Sequence, residues 1–238
     1  LDAQGAGLQF SAPAGHARFL QPTTSEGCQS SEVCGELVLR VRNSALPAAP
    51  LRGALLFRCE TWELWLDKAG RYVFLAQRQS PARRIVVDGG FTAGEVLGDF
   101  PSVDGQGFYP LQFLDIKLFA NWLAGYGDVM LHAAGVAVDG KGYCFAGPAG
   151  AGKSTLAAQL ARDPLVTVLG EDQVALRYLD GRFWIYGTPW HENPDMCSPL
   201  GVPLETLFIV DRTAPVGITP STPLEGVAWL MKTAFIPY

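Results

Sequence analysis

At 238 residues the chain can bury a sizeable core, as one large domain or as a main domain with a smaller companion. Its 48% hydrophobic and 17% charged residues exclude disorder as the default state, and a net charge of −5 gives no global attraction to nucleic acid or anionic membranes. No apolar run approaches the roughly 18 residues of a membrane-spanning helix, so neither nucleic acid nor membrane is expected as a partner.

The start, Leu1-Asp2-Ala3-Gln4, has neither an initiator methionine nor the charged-then-apolar form of a secretion signal, and is expected to be a trimmed end. The five cysteines, Cys28, Cys34, Cys59, Cys144 and Cys197, are odd in number and scattered. They form no Cys-x-x-Cys knuckle and no disulfide framework. Cys144 lies in an apolar run and is expected in the core, while Cys28 and Cys34 are close enough for a local disulfide but are expected to be reduced.

Residues 1–53 are rich in Gly, Ala, Pro and Ser, with a strand-like patch at 36–41 and a loop marked by Pro47 and Pro50. Residues 55–59, 61–66 and 71–75 follow as strands, the last two forming a hairpin about a turn containing Gly70. Residues 84–87 give a further strand, closed by Asp88-Gly89-Gly90. The period changes over 110–123, where Leu111, Leu114 and Leu118 share a face widened by Phe119 and Trp122, and Gly125 stands at the expected C-cap. That segment is predicted to be a helix packed on the core or joining two domains.

Two strand-like runs, 129–138 and 141–146, are separated by Asp139-Gly140, the strongest short-range hairpin signal. The second run leads into Gly147-Pro148-Ala149-Gly150-Ala151-Gly152-Lys153-Ser154-Thr155, which satisfies the phosphate-loop pattern G-x-x-x-x-G-K-[ST]. Glycines at 147, 150 and 152 let the backbone curl with its N–H groups inward, and the helix beginning near Lys153 adds the positive end of its dipole. Residues 147 and 149–155 are therefore expected to cradle a nucleoside triphosphate, with Lys153 on the β- and γ-phosphates and the Ser154 hydroxyl on Mg²⁺.

Asp163-Pro164 ends that helix near Arg162. Residues 165–169 form a short strand, and Glu171-Asp172 at its end is where a Mg²⁺-binding carboxylate belongs beside a phosphate loop. Another hairpin spans 174–179 and 183–186 about Asp180-Gly181. A loop from Gly187 to Pro194 and a strand at 204–210 follow. Thr222-Pro223-Leu224-Glu225 signals a final helix through an N-cap threonine, a proline at N1 and a capping-box glutamate.

Taken together, the run Leu131-His132-Ala133-Ala134-Gly135-Val136, the hairpin, the phosphate loop and the acid pair resemble the catalytic domain of HPr serine kinase and its relatives. That family in turn resembles ATP-dependent phosphoenolpyruvate carboxykinase around the same loop. The resemblance covers residues 128–211 and rests on order and spacing, His132 preceding Lys153 by 21 positions and Asp172 following it by 19. It implies an α/β fold, a mixed and largely antiparallel sheet around the phosphate-loop helix, preceded by a β-rich N-terminal region. The expected domains are 1–109 and 110–238, the second incomplete at its C-terminus.

The resemblance further implies transfer of the ATP γ-phosphoryl group to a serine or threonine hydroxyl of a protein or peptide, with Mg²⁺, in the cytoplasm. Asp172 would be the base, Lys153 and His132 would lie at the phosphates, and Ser154, Glu171 and Asp172 would serve the metal. Glu171 replaces the family's usual first aspartate, and neither the Glu-x-Arg-Gly nor the Gly-Arg-Asn signature is present. Kinases encoded beside ribosomally made peptides, such as lasso peptides, are nearer in outline than those acting on HPr. Two rival expectations stand beside this one, an ATP- or GTP-hydrolysing switch and a non-catalytic nucleotide-sensing partner protein; a homo-oligomer is left open.

Overall fold

The computed structural model describes residues 37–47, 51–76, 82–99, 111–191, 193–198, 200–213 and 217–236. Cys28, Cys34 and the proline at the start of the predicted 110–123 helix lie outside the described residues. The chain divides into two units after Gly125.

The first unit contains β1 (Val38–Asn43), β2 (Gly53–Arg58), β3 (Glu63–Asp67), β4 (Tyr72–Ala76), β5 (Arg83–Val87), β6 (Ala93–Gly98) and α1 (Leu114–Ala124). Its six-stranded sheet has the order β1-β6-β5-β4-β3-β2, with β1 parallel to β6 and the other pairs antiparallel. Period-two patterning makes these strands: in β5, Arg83, Ile85 and Val87 are buried while Arg84 and Val86 are half-buried. In α1 the stripe Leu114, Leu118, Phe119 and Trp122 is buried, and the Phe119 and Trp122 rings stack at 5.8 Å. This helix groups with the first unit.

Asp88 closes the turn into β6. Its Oδ1 accepts from the Gly90 and Thr92 N–H groups, and its Oδ2 accepts from the Thr92 hydroxyl and Ala93 N–H. Partial burial works to raise its pKa, but these four donors outweigh it and hold the carboxyl below its ordinary value. A lowered folded pKa means stability that is present above the unfolded value and is lost as pH falls through the folded one. Asp88→Ala is expected to cost about 1 kcal/mol at neutral pH, and much less at pH 2, as measured by urea unfolding at the two pH values.

The second unit contains β7 (Val129–Val138), β8 (Lys141–Ala146), α2 (Lys153–Leu160), β9 (Val166–Gly170), β10 (Gln173–Leu179), β11 (Arg182–Gly187), β12 (Gly201–Ile209) and α3 (Pro223–Thr233). Both Asp-Gly hairpins turn with positive φ at each central residue, 49° and 71° at Asp139 and Gly140, 51° and 79° at Asp180 and Gly181. That is the twist a two-residue hairpin needs. The capping box of α3 is formed, Thr222 and Glu225 each accepting from the other's backbone N–H.

The α/β expectation is overturned. The described chain is 43% strand and 18% helix, a six-stranded sheet in one unit and a closed five-stranded β-barrel in the other. The barrel runs β7-β8-β12-β11-β10 and closes where β10 pairs back onto β7; β8 and β12 are parallel and the other pairs antiparallel. Closure follows from the length of β7. Its ten residues carry β8 on one edge, while on the other edge Val129–His132 pair with β10 and the later residues pair with β9. A single helix of eight residues follows the phosphate loop, too short to provide the crossover layer of an α/β sheet.

Alternation along β7 divides its side chains. Leu131, Ala133 and Ala137 join Cys144, Val174, Ile185 and Val202 in one core. Ala134 and Val136 join Val168, Met196 and Ala157 of α2 in another. Gly135 lies close to the core, where a Cβ would come within 2.8 Å of the end of the Ile185 side chain and force that side chain to shift. Cys144 is fully buried as expected, and burial pushes its thiol up to about 12.

Candidate functional site

The site forms about residues 132 and 133 of β7. On one edge, Ala133 pairs with Ala146, so β8 ends and the 147–155 loop begins beside His132. On the other edge, the chain leaves β9 at Gly170 and re-enters at Gln173, whose register partner is His132. Glu171 and Asp172 occupy the break between two strands that pair with the same edge of β7. Ala133 N–H donates to the Asp172 carbonyl at 3.0 Å and fastens it there. His132, the loop and the acid pair are thus brought together by strand register.

Within the loop, Gly150 and Gly152 adopt φ of +76° and +96°, a region that penalises a Cβ, and a side chain there would meet nothing within 4 Å. Gly147 is packed, with the Val210 carbonyl 2.7 Å from where its Cβ would stand. Ala149 is exposed, Ala151 is buried and donates to the Pro148 carbonyl at 3.1 Å, and Gly152 is the N-cap of α2. Lys153 is only 5% exposed; its Nζ donates to the carbonyls of Gly147 (2.9 Å) and Pro148 (3.1 Å). Burial lowers its pKa, opposed by the nearby Asp172 carboxylate. Ser154 and Thr155 are exposed, and the Ser154 hydroxyl donates to the Glu171 carbonyl at 3.4 Å.

The two acids have different surroundings. The Asp172 Oδ2 accepts from Gln173 Nε2 at 3.0 Å, and its Oδ1 lies 3.4 Å from His132 Nδ1. Glu171 is buried, and its Oε1 accepts from the Asn193 N–H at 2.7 Å. That bond pins the 188–198 loop, which is also held by the Ser198 N–H on the Leu169 carbonyl and by buried Met196. The His132 pKa is lowered by burial and by Lys153, with Asp172 pulling the other way.

The loop's curl, its lysine and the N-terminus of an eight-residue helix fit a polyphosphate. Ser154 could offer Mg²⁺ a hard oxygen donor alongside phosphate oxygens, whereas Glu171 and Asp172 each spend one oxygen, on Asn193 and Gln173. Among the described residues no group of three His, Cys, Asp or Glu side chains could by itself hold a metal. No protein-family model matches the chain, and no curated protein matches it. Among the described residues, no helix is long and apolar enough to cross a membrane.

Three contributors escape a reading of the sequence alone. Gln173 follows the acid pair and orients Asp172; its signal was simply adjacency. Asn193 acts through its backbone, and Arg212 reaches the loop from beyond β12, donating from Nη1 to the Gly150 carbonyl at 2.9 Å. Backbone donors and cross-strand contacts leave no residue-type signature. Because one Glu171 oxygen caps a backbone N–H from a buried position, Glu171→Ala is expected to destabilise the fold by about 1–3 kcal/mol. Glu171→Gln, which keeps an acceptor oxygen, should recover most of that loss in thermal melts.

Proposed function

We propose that the chain is an ATP-dependent phosphotransferase acting in the cytoplasm on a serine or threonine hydroxyl of a protein or peptide. The observation that carries this reading is the convergence on one position of β7 of a phosphate loop with a buried lysine and an aspartate paired with a histidine. It rests on those residues and not on the overall fold.

The loop amides and Lys153 bind and orient the triphosphate, and Ser154 would hold Mg²⁺ beside it. The bound ion supplies charge neutralisation on the phosphate oxygens. Gln173 occupies Asp172 Oδ2, leaving Oδ1 to orient the acceptor hydroxyl and take its proton. His132 Nδ1 lies 3.4 Å from Oδ1, and burial and Lys153 both favour its uncharged form. Residues 193–198 are fastened beside the acid pair by Glu171 and Leu169, where they could shape an acceptor site.

Incubation with γ-labelled ATP and a panel of serine- and threonine-containing peptides, read by mass spectrometry, tests the proposal. A phosphate adduct on a hydroxyl side chain is the expected result. ATP hydrolysis without an adduct would favour the switch reading, and ATP binding without turnover the nucleotide-sensing one.

A further inference from the structure

The phosphate loop and the residues after β12 leave the same end of a parallel pair. β8 and β12 pair from Leu204↔Gly142 to Ile209↔Ala146, with one register shift between Leu204 and Thr206, and their C-terminal ends lie side by side. Here the Val210 N–H extends the pairing to the Ala146 carbonyl at 2.7 Å. Two residues further on, Arg212 Nη1 donates to the Gly150 carbonyl at 2.9 Å, at the tip of the loop.

The charge of the site gives that contact a purpose. Lys153 is held by two carbonyls of its own loop and faces Asp172, with Glu171 beside it, so two acidic side chains stand at the loop with that one ammonium. Arg212 brings a second cationic side chain to the tip of the loop. A guanidinium has five N–H donors in a planar fork matched to phosphate oxygens, and one is recorded on Gly150. The side chain is exposed, so its remaining donors are open to a ligand.

We infer that Arg212 is the second cation of the nucleotide site, anchored on the Gly150 carbonyl and contributing N–H donors to the phosphates of a bound nucleoside triphosphate. This rests on the reading of residues 147–155 as a phosphate loop. The test is the affinity for ATP with Mg²⁺, measured by calorimetry at several salt concentrations, for the full chain and for Arg212→Ala, Arg212→Lys and Lys153→Ala. Arg212→Ala is expected to weaken binding at least tenfold and to flatten its salt dependence, Arg212→Lys to recover part of the loss, and melting temperatures to stay unchanged. Unchanged affinity in Arg212→Ala, where Lys153→Ala loses binding, overturns the inference and leaves the loop's role intact. A loss with the salt dependence unaltered also overturns it, and assigns Arg212 to holding the loop's shape. Absence of ATP binding by the unsubstituted chain overturns the phosphate-loop reading and the inference together.

Discussion

Lys153→Ala is expected to abolish measurable ATP binding. The ammonium is buried and held by two carbonyls of its own loop, at 2.9 and 3.1 Å, so it is already in place at the mouth of the cradle before any ligand arrives. Its removal has two consequences of the same sign. The ligand loses a charge-assisted contact, and the Gly147 and Pro148 carbonyls are left without the donor that covers them, presenting partial negative charge to incoming phosphates. Truncating one partner of a desolvated charged contact costs about 2–5 kcal/mol, on the order of a hundredfold or more in affinity. Calorimetric titration with ATP measures this, and circular dichroism confirms that the variant is folded. A dissociation constant within a few-fold of the parent's would remove Lys153 from the nucleotide site.

Asp172→Asn is expected to leave ATP affinity within a few-fold and to reduce phosphoryl transfer by roughly 10²–10⁴, the range a positioned base contributes. The amide is isosteric, its oxygen can still accept from Gln173 Nε2, and the backbone bond from Ala133 N–H is untouched. What it lacks is the basic oxygen 3.4 Å from His132. A second readout is independent of catalysis. Asp172 pulls the His132 pKa upward against burial and Lys153, so its neutralisation should lower that pKa further below the ordinary value of 6.5. A histidine whose folded pKa is depressed costs stability as pH falls through the unfolded value. The variant should therefore lose more stability than the parent between pH 7 and 5. An NMR titration of His132 that moved upward would contradict the proposed electrostatics, and an unchanged transfer rate would show that Asp172 is not the base.

Much of the local structure was legible because its causes lie within a few residues. Asp139-Gly140 and Asp180-Gly181 tolerate the positive φ of their turns, Thr222 and Glu225 reach each other's backbone across one helical turn, and Asp163-Pro164 stops α2. The candidate site was legible in part. The glycines and lysine of the loop and the acid pair announce their chemistry by type and spacing. Glu171 was expected at the metal, yet one of its oxygens caps the Asn193 backbone from 22 residues earlier, a contact that no spacing rule marks.

By itself, then, the sequence determined the turns, the caps and the curl of the 147–155 loop, since those depend on intrinsic φ preferences and on contacts within a few residues. Tertiary structure decided which strands pair. An alternating strand states which face is buried but not who lies at its edge, so nothing in residues 129–138 reveals that β7 shares one edge between β9 and β10. That sharing closes the barrel in place of an open α/β sheet, sets Asp172 beside His132, and leaves β12 parallel to β8, so that Arg212 meets the loop.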